Sequence, residues 1–175
     1  MDDTKMIKIG PVGSKNGNGW DEKGRNKIVQ IFISHGDEIN SIQFQYAENG
    51  TLVLSDCYGQ TTGYKFDVVK LSHPSEYITW ISGYKSYSHI VSITFGTNHG
   101  TYGPFGRSTG HDKEFVFQLG NDRQFGGFHG TADNSVQSIG VYLKPMTTLD
   151  SSHQINTGPI KEGETSWEML NPIQE

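Results

Sequence analysis

The run FGGFHGTADNSVQSIGVYLKP, residues 125–145, sets a glycine-rich polar loop against a segment whose apolar residues recur with period two. That period belongs to a strand with one face buried and the other solvated, so the segment resists a helical reading. In the loop, chemistry is offered by backbone amides and short side chains. The layout recurs near the start, where IGPVGSKNGNGWDE, residues 9–22, joins two short strands through a loop carrying Gly13, Gly17 and Gly19. Two such loops on one all-β domain predict a shallow polar pocket.

At 175 residues the chain is long enough to bury one core without metal or disulfide staples. Only 33% of residues are hydrophobic, 22 are glycine and mean hydropathy is −0.54, which favours half-buried antiparallel strands over the doubly buried strands of a parallel α/β sheet. Alternation is clearest in residues 27–34, where Val29, Ile31 and Ile33 oppose Ile28, Gln30, Phe32 and Ser34. A hairpin is predicted at Asn49-Gly50, because both residues tolerate positive φ. Further strands are expected at 64–71, 77–84, 90–95, 114–119, 125–128 and 136–143. Many short strands between Gly, Asn, Ser and Pro indicate an antiparallel sandwich, barrel or prism, and periodicity does not choose among them. GPVG, YGPFG and FGGFHG recur as glycine-aromatic loop signals of the kind a three-sheet arrangement would produce. The domain is expected to span 1–145, with 146–175 a polar, acidic and flexible tail whose apolar residues cluster at Trp167, Met169 and Leu170.

That tail holds five acids against Lys161 and carries most of the net charge of −5, leaving the body close to neutral. Phosphate contacts dominate nucleic-acid affinity, so a body without a basic surplus is not expected to bind nucleic acid directly. No segment has the apolar length to span a bilayer, and residues 1–10 have neither a basic nor an apolar leader region. With Cys57 the lone cysteine, a reducing cytoplasmic location is the expectation, and Cys57 is read as a small apolar packing residue.

No nucleophile elbow, zinc-protease helix motif or phosphate loop is present. The seven histidines lack ligand spacing, so no metal and no cofactor are expected, and they read as surface or loop residues. A glycosidase would need two facing carboxylates, for which Asp21, Glu22, Asp112, Glu114 and Asp133 are available; Asp21 and Glu22 read better as loop-fixing acceptors. Gly17, Gly19 and Gly130 each suit a turn as well as a ligand. The binding reading gains from Asp133, Asn134, Ser135 and Gln137 in one loop, an array of short donors and acceptors suited to paired sugar hydroxyls.

The segments IGPVG…GNGWDE, KIVQIFISHGDEINSIQFQY, EYITWISGY, YGPFG and GGFHG…SIGVYL, in that order over about residues 7–145, resemble the jacalin-related lectin domain. The resemblance implies a β-prism of three four-stranded antiparallel sheets, non-enzymatic, with a sugar (mannose-type favoured) held between the first glycine-rich loop and the loop before the last strand. KIGPVG, QIFISHG, SIQFQ, QFGGFHGT and IGVYLKP are most similar to plant antiviral members of the family, those that restrict a potyvirus or confer potexvirus resistance. Homo-oligomers are expected on the same ground. The family's first-loop glycine falls on Gly17. In the last loop the family's Gly-x-x-x-Asp becomes Asp133-Asn134-Ser135-Val136-Gln137, so the anionic acceptor is missing from its usual place and Asp133 offers one at the other end. Residues 84–90 are short for a family loop that often flanks the sugar. Two functions follow, glycan binding through Gly17 and residues 133–137, or recognition of a viral or host protein, for which Tyr102, Phe105 and Trp167 are the exposed aromatics expected to serve.

Overall fold

The computed structural model describes residues 5–149, and the expectations for residues 150–175, Trp167 included, lie outside it. The chain divides into two units, Met1–Pro145 and Met146–Glu175, and the architecture here is that of the first. Its strands are β1 (Ile7–Gly13), β2 (Asn18–Asp21), β3 (Ile28–His35), β4 (Ile39–Glu48), β5 (Thr51–Leu54), β6 (Tyr58–Gly59), β7 (Lys65–Lys70), β8 (Ile78–Lys85), β9 (Ile90–Thr97), β10 (Thr101–Gly106), β11 (Lys113–Gln118), β12 (Phe125–Ala132) and β13 (Val136–Leu143). All pairings are antiparallel and form three sheets, ordered β1-β13-β12-β2, β5-β4-β3-β7 and β10-β9-β8-β11. The short β6 also pairs with β4, opposite Ser41 and Ile42, while β5 pairs with residues 45–48. The two are pieces of one edge strand, interrupted where Ser55 exchanges hydrogen bonds with Phe44, so the three sheets are four-stranded in plan.

The alternation read from the sequence decides what fills the centre. Ile31 and Ile33 of β3, Ile42 and Phe44 of β4, Ile81 of β8, Phe95 of β9, and Phe128, Ile139 and Val141 of β12 and β13 are fully buried. One phenylalanine from each sheet meets on the axis: Phe128 stacks on Phe44 with centroids 5.1 Å apart and meets Phe95 edge-on at 6.0 Å. Burying each such ring is worth roughly 1.5–3 kcal/mol, so this contact helps hold the three sheets together. A register shift between Ile28 and Gln30 turns Ile28 inward beside Ile31 and Ile33, against strict alternation.

Several expectations change. YGPFG is the strand β10 rather than a loop, and its proline is accommodated because β10 is a sheet edge with a register shift at Gly103-Pro104. β12 runs on through Ala132 instead of stopping near Phe128, where Gly130 leaves room for the Trp20 ring and the Ser138 carbonyl of the flanking strands. Cys57 is exposed, not packed, because it lies in the interruption between β5 and β6. His35 and His129 are buried rather than superficial. His35 Nδ1 accepts the Gly106 amide at 2.9 Å and Nε2 bonds Asp67 at 2.7 Å, which ties the β3 sheet to the β10 sheet. Tyr102 and Phe105 pack on the core and are not the exposed aromatics expected; the large exposed apolar side chains include Leu52, Leu54, Phe66 and Tyr87.

Candidate functional site

The loop between β1 and β2 is sewn to the β12–β13 hairpin. Ser14 donates its amide to the Gln137 carbonyl at 3.0 Å, and the Thr131 hydroxyl donates to the Ser14 carbonyl at 3.0 Å. β2 continues the contact, pairing Asn18 with Ala132 and Gly19 with Thr131. The result places Gly17 against the end of β12, one residue from Asp133. Gly17 has φ +89°, and a Cβ there would lie 2.8 Å from the Ala132 carbonyl and 2.7 Å from Gln137 Oε1. Only glycine fits, and Gly17 is exposed on this loop.

The facing hairpin closes in a tight turn, with the Asp133 amide donating to the Ser135 carbonyl at 2.9 Å. This turn sorts the expected site residues. Asp133 and Asn134 are exposed beside Gly17, whereas Ser135 is buried and Gln137 is half-buried. Gln137 Oε1 is fully enclosed beside Gly17 and has no hydrogen-bond partner, so the position where the family carries an anion presents no acceptor outward. The one carboxylate offered to solvent by this loop pair is that of Asp133. Gly130, the third glycine singled out by sequence, faces Trp20 across β2 with Trp20 Cζ2 3.0 Å from where a Cβ would stand, and so serves packing. Gly19 has open space around it.

Beside the loops lies a cleft of about 550 Å³, floored by Trp20 and Tyr58 and edged by Asn18, Asp56, Cys57 and Asp133. The two rings stack 4.4 Å apart at 12°. Under them, Glu22 is buried and accepts from the hydroxyls of Tyr46, at 3.0 Å, and Tyr58, with Arg25 at 3.7 Å. Burial first, and then the Glu22 carboxylate, push both phenols far above their ordinary range. Asp21 accepts the Lys23 amide at 2.9 Å and the Tyr142 hydroxyl at 2.7 Å. Asp21 is thus the loop-fixing acceptor expected, while Glu22 holds side chains rather than backbone. Sequence reasoning missed that tyrosine pair, since Tyr46 and Tyr58 lie 24 and 36 residues from Glu22 and only the fold brings them together. The β8–β9 turn, residues 86–89, is short as expected and points its Tyr87 into solvent, 94% exposed.

Three antiparallel sheets around one axis, with a glycine loop facing a polar hairpin at one corner, define a β-prism lectin scaffold. The Jacalin-like lectin domain profile matches residues 9–142, and the chain belongs to that family. It is 48% identical to Protein RESTRICTED TEV MOVEMENT 1 of Arabidopsis thaliana over 172 residues, covering 91% of this chain and 97% of that protein, and equally identical to a form described as inactive. Jacalin-related lectin 2 of the same plant is 48% identical over 79% of this chain and 86% of its own length. Among solved structures, the artocarpin–mannotriose complex superposes with a TM-score of 0.70 at 30% identity, over 80% of this chain and 98% of that one. A mannose-specific jacalin-related lectin from Morus nigra, solved with mannose, gives 0.70 and 30% over 80% and 95%.

Proposed function

We propose that this chain is a carbohydrate-binding protein of plant antiviral resistance, acting against a potyvirus or potexvirus, with a mannose-type glycan as its ligand. The observation that carries the sugar reading is the exposed Gly17 packed on the Ala132 carbonyl, next to the exposed Asp133 and Asn134, whose carboxylate and side-chain amide offer acceptors and a donor suited to adjacent hydroxyls. Ser135 and Gln137 shape the turn from within. The similarity to a movement-restricting protein supports the antiviral part, and the mannose complexes of related lectins support the sugar class. The exposed thiol of Cys57 suits a reducing, cytoplasmic setting. Weak single sites gain from pairing, so the protein is proposed to self-associate.

One observation favours a second reading. With Gln137 Oε1 enclosed, the site lacks the anion of its relatives, and the prism would then recognise a viral or host protein instead. A glycan-binding screen on the purified full chain, followed by calorimetry, separates the two. Saturable binding weakened at least about tenfold by Asp133→Ala supports the lectin site, since a charge-assisted hydrogen bond contributes roughly 1.5–3 kcal/mol. Silence towards every glycan at high concentration, with resistance intact in Asp133→Ala plants, would establish the second. Light scattering on the same sample should show a species larger than 19.5 kDa; a monomer alone removes the pairing proposal.

A further inference from the structure

A second pocket, lined by none of the sugar-loop residues, opens among the segment before β3, the β7–β8 connection, the β11–β12 turn and the end of β13. It has a volume of about 170 Å³. Its inner wall is apolar, made by Ile28, Pro74, Tyr77 and Phe125, and its rim holds the cations Lys27, Arg123 and Lys144 together with His73. These cations come from three distant parts of the sequence, and the fold gathers them in a chain of net charge −5.

The one carboxylate in the lining, Glu76, is already engaged. Its oxygens accept from the Ser72 amide at 2.8 Å and from the hydroxyls of Thr97 at 2.6 Å and Tyr102 at 2.7 Å, with His99 at 3.7 Å. Arg123 is set in place: it holds φ +57° in its turn, donates to the Pro74 carbonyl at 3.0 Å, and lays its guanidinium 4.2 Å from the Tyr77 ring centroid. A non-glycine residue with positive φ is uncommon, and here it carries the guanidinium to the pocket mouth. Neither Lys27 nor Lys144 has a side-chain hydrogen bond or ion pair among the described residues; the ion pairs present involve Arg25, Arg107, His35, His89 and His99.

An apolar slot with a cationic mouth is complementary to a ligand with the opposite plan. The size limits the apolar part, because a cavity of about 150 Å³ admits a single benzene ring and drug-sized ligands need roughly 300 Å³ or more. We propose that this pocket binds a small aromatic anion, a one-ring carboxylate or phosphate ester, with the ring between Pro74, Tyr77 and Phe125 and the anionic head at Lys27, Arg123 and Lys144. The site is independent of the sugar loops and holds whether or not those bind a glycan.

The test is an NMR amide-shift titration of the full chain with phenyl phosphate and benzoate, with benzyl alcohol and inorganic phosphate as the two halves of the ligand. Expected are saturable shifts at residues 27, 74–77, 123–125 and 144, a Kd of about 1 mM or tighter for both anions, and weaker binding of either half alone. Lys27→Glu with Lys144→Glu should weaken phenyl phosphate at least about tenfold, and raising salt should weaken it further. Both lysines are rim residues without side-chain partners, so folding survives the change. Absence of saturable shifts, an unchanged Kd in the charge-reversed protein, or equal binding of benzyl alcohol or inorganic phosphate would each overturn the proposal.

Discussion

Glu22 shows how much one side chain can organise. Glu22 is 6% exposed, and its carboxylate joins the end of β2 to Tyr46 of β4 and Tyr58 of β6, so it holds the floor of the cleft beside the sugar loops. Removing it leaves the buried Tyr46 hydroxyl and the half-buried Tyr58 hydroxyl without their acceptor, while Arg25 keeps Glu48 at 3.3 Å. Glu22→Ala should therefore lower stability by about 3 kcal/mol, read by urea unfolding, and Glu22→Gln, which keeps one acceptor oxygen, by about 1 kcal/mol. Equal stability of Glu22→Ala and the parent would show that water replaces the carboxylate. Gly17 is the opposite case, a residue whose value lies in having no side chain, since any Cβ would meet the Ala132 carbonyl.

At the scale of elements, a recurrent device joins the strands: an aromatic ring lies over a glycine directly across the ladder. Trp20 faces Gly130, Trp80 faces Gly96, Phe115 faces Gly83 and His129 faces Gly140. A Cβ on Gly96, Gly83 or Gly140 would collide with the ring, and one on Gly130 would press against it at 3.0 Å. Gly96→Ala, beneath Trp80, should cost about 2–3 kcal/mol in chemical unfolding through overpacking, and a Trp80→Ala, Gly96→Ala double variant should recover part of the loss. If the two changes simply add, the ring is not what excludes the methyl. This device also explains what could be read in advance. Strands with sustained alternation, such as 27–34, were legible because period two and the core agree there, Ile31 and Ile33 going to the core while Gln30 and Phe32 stay half-buried. β10 was not, because Gly103-Pro104 carries a loop signature and only its edge position makes it a strand. Among site residues, Gly17 and the 133–137 hairpin were legible as a glycine loop and a polar turn. The inward turn of Gln137 was not, since the face a side chain takes depends on its hydrogen-bonded register.

For the whole molecule, buried titratable groups set the range of pH in which the prism holds. Tyr46, Tyr58 and Tyr142 are raised far above 10.0, chiefly by burial, and Tyr102 is raised to about 12, chiefly by its bond to Glu76. The unfolded chain ionises these phenols near 10.0 while the native one keeps them protonated, so their stabilisation is full below that pH and is lost as pH rises through the folded values. On the acid side, burial holds His129 below 6.5 despite its bond to the Ile9 carbonyl. Burial also raises Glu76, but the bonds from Thr97, Ser72 and Tyr102 outweigh it and leave that carboxyl below 4.5. Both contribute stability that fades as pH falls, His129 from about 6.5 and Glu76 from about 4.5 downward. Thermal unfolding across pH should give a plateau with loss on both sides, and phenolate absorbance should show these four tyrosines ionising only as the protein unfolds. Early, complete ionisation in native protein would contradict the buried assignment. The Gly-Pro steps of β1 and β10 act at this scale as well. Each sits on a sheet edge and coincides with a shift in register, at residues 9–12 and 102–105. A strand from another copy laid along either rim would meet a missing donor and a bent ladder, so these two rims are poor templates for open-ended strand addition.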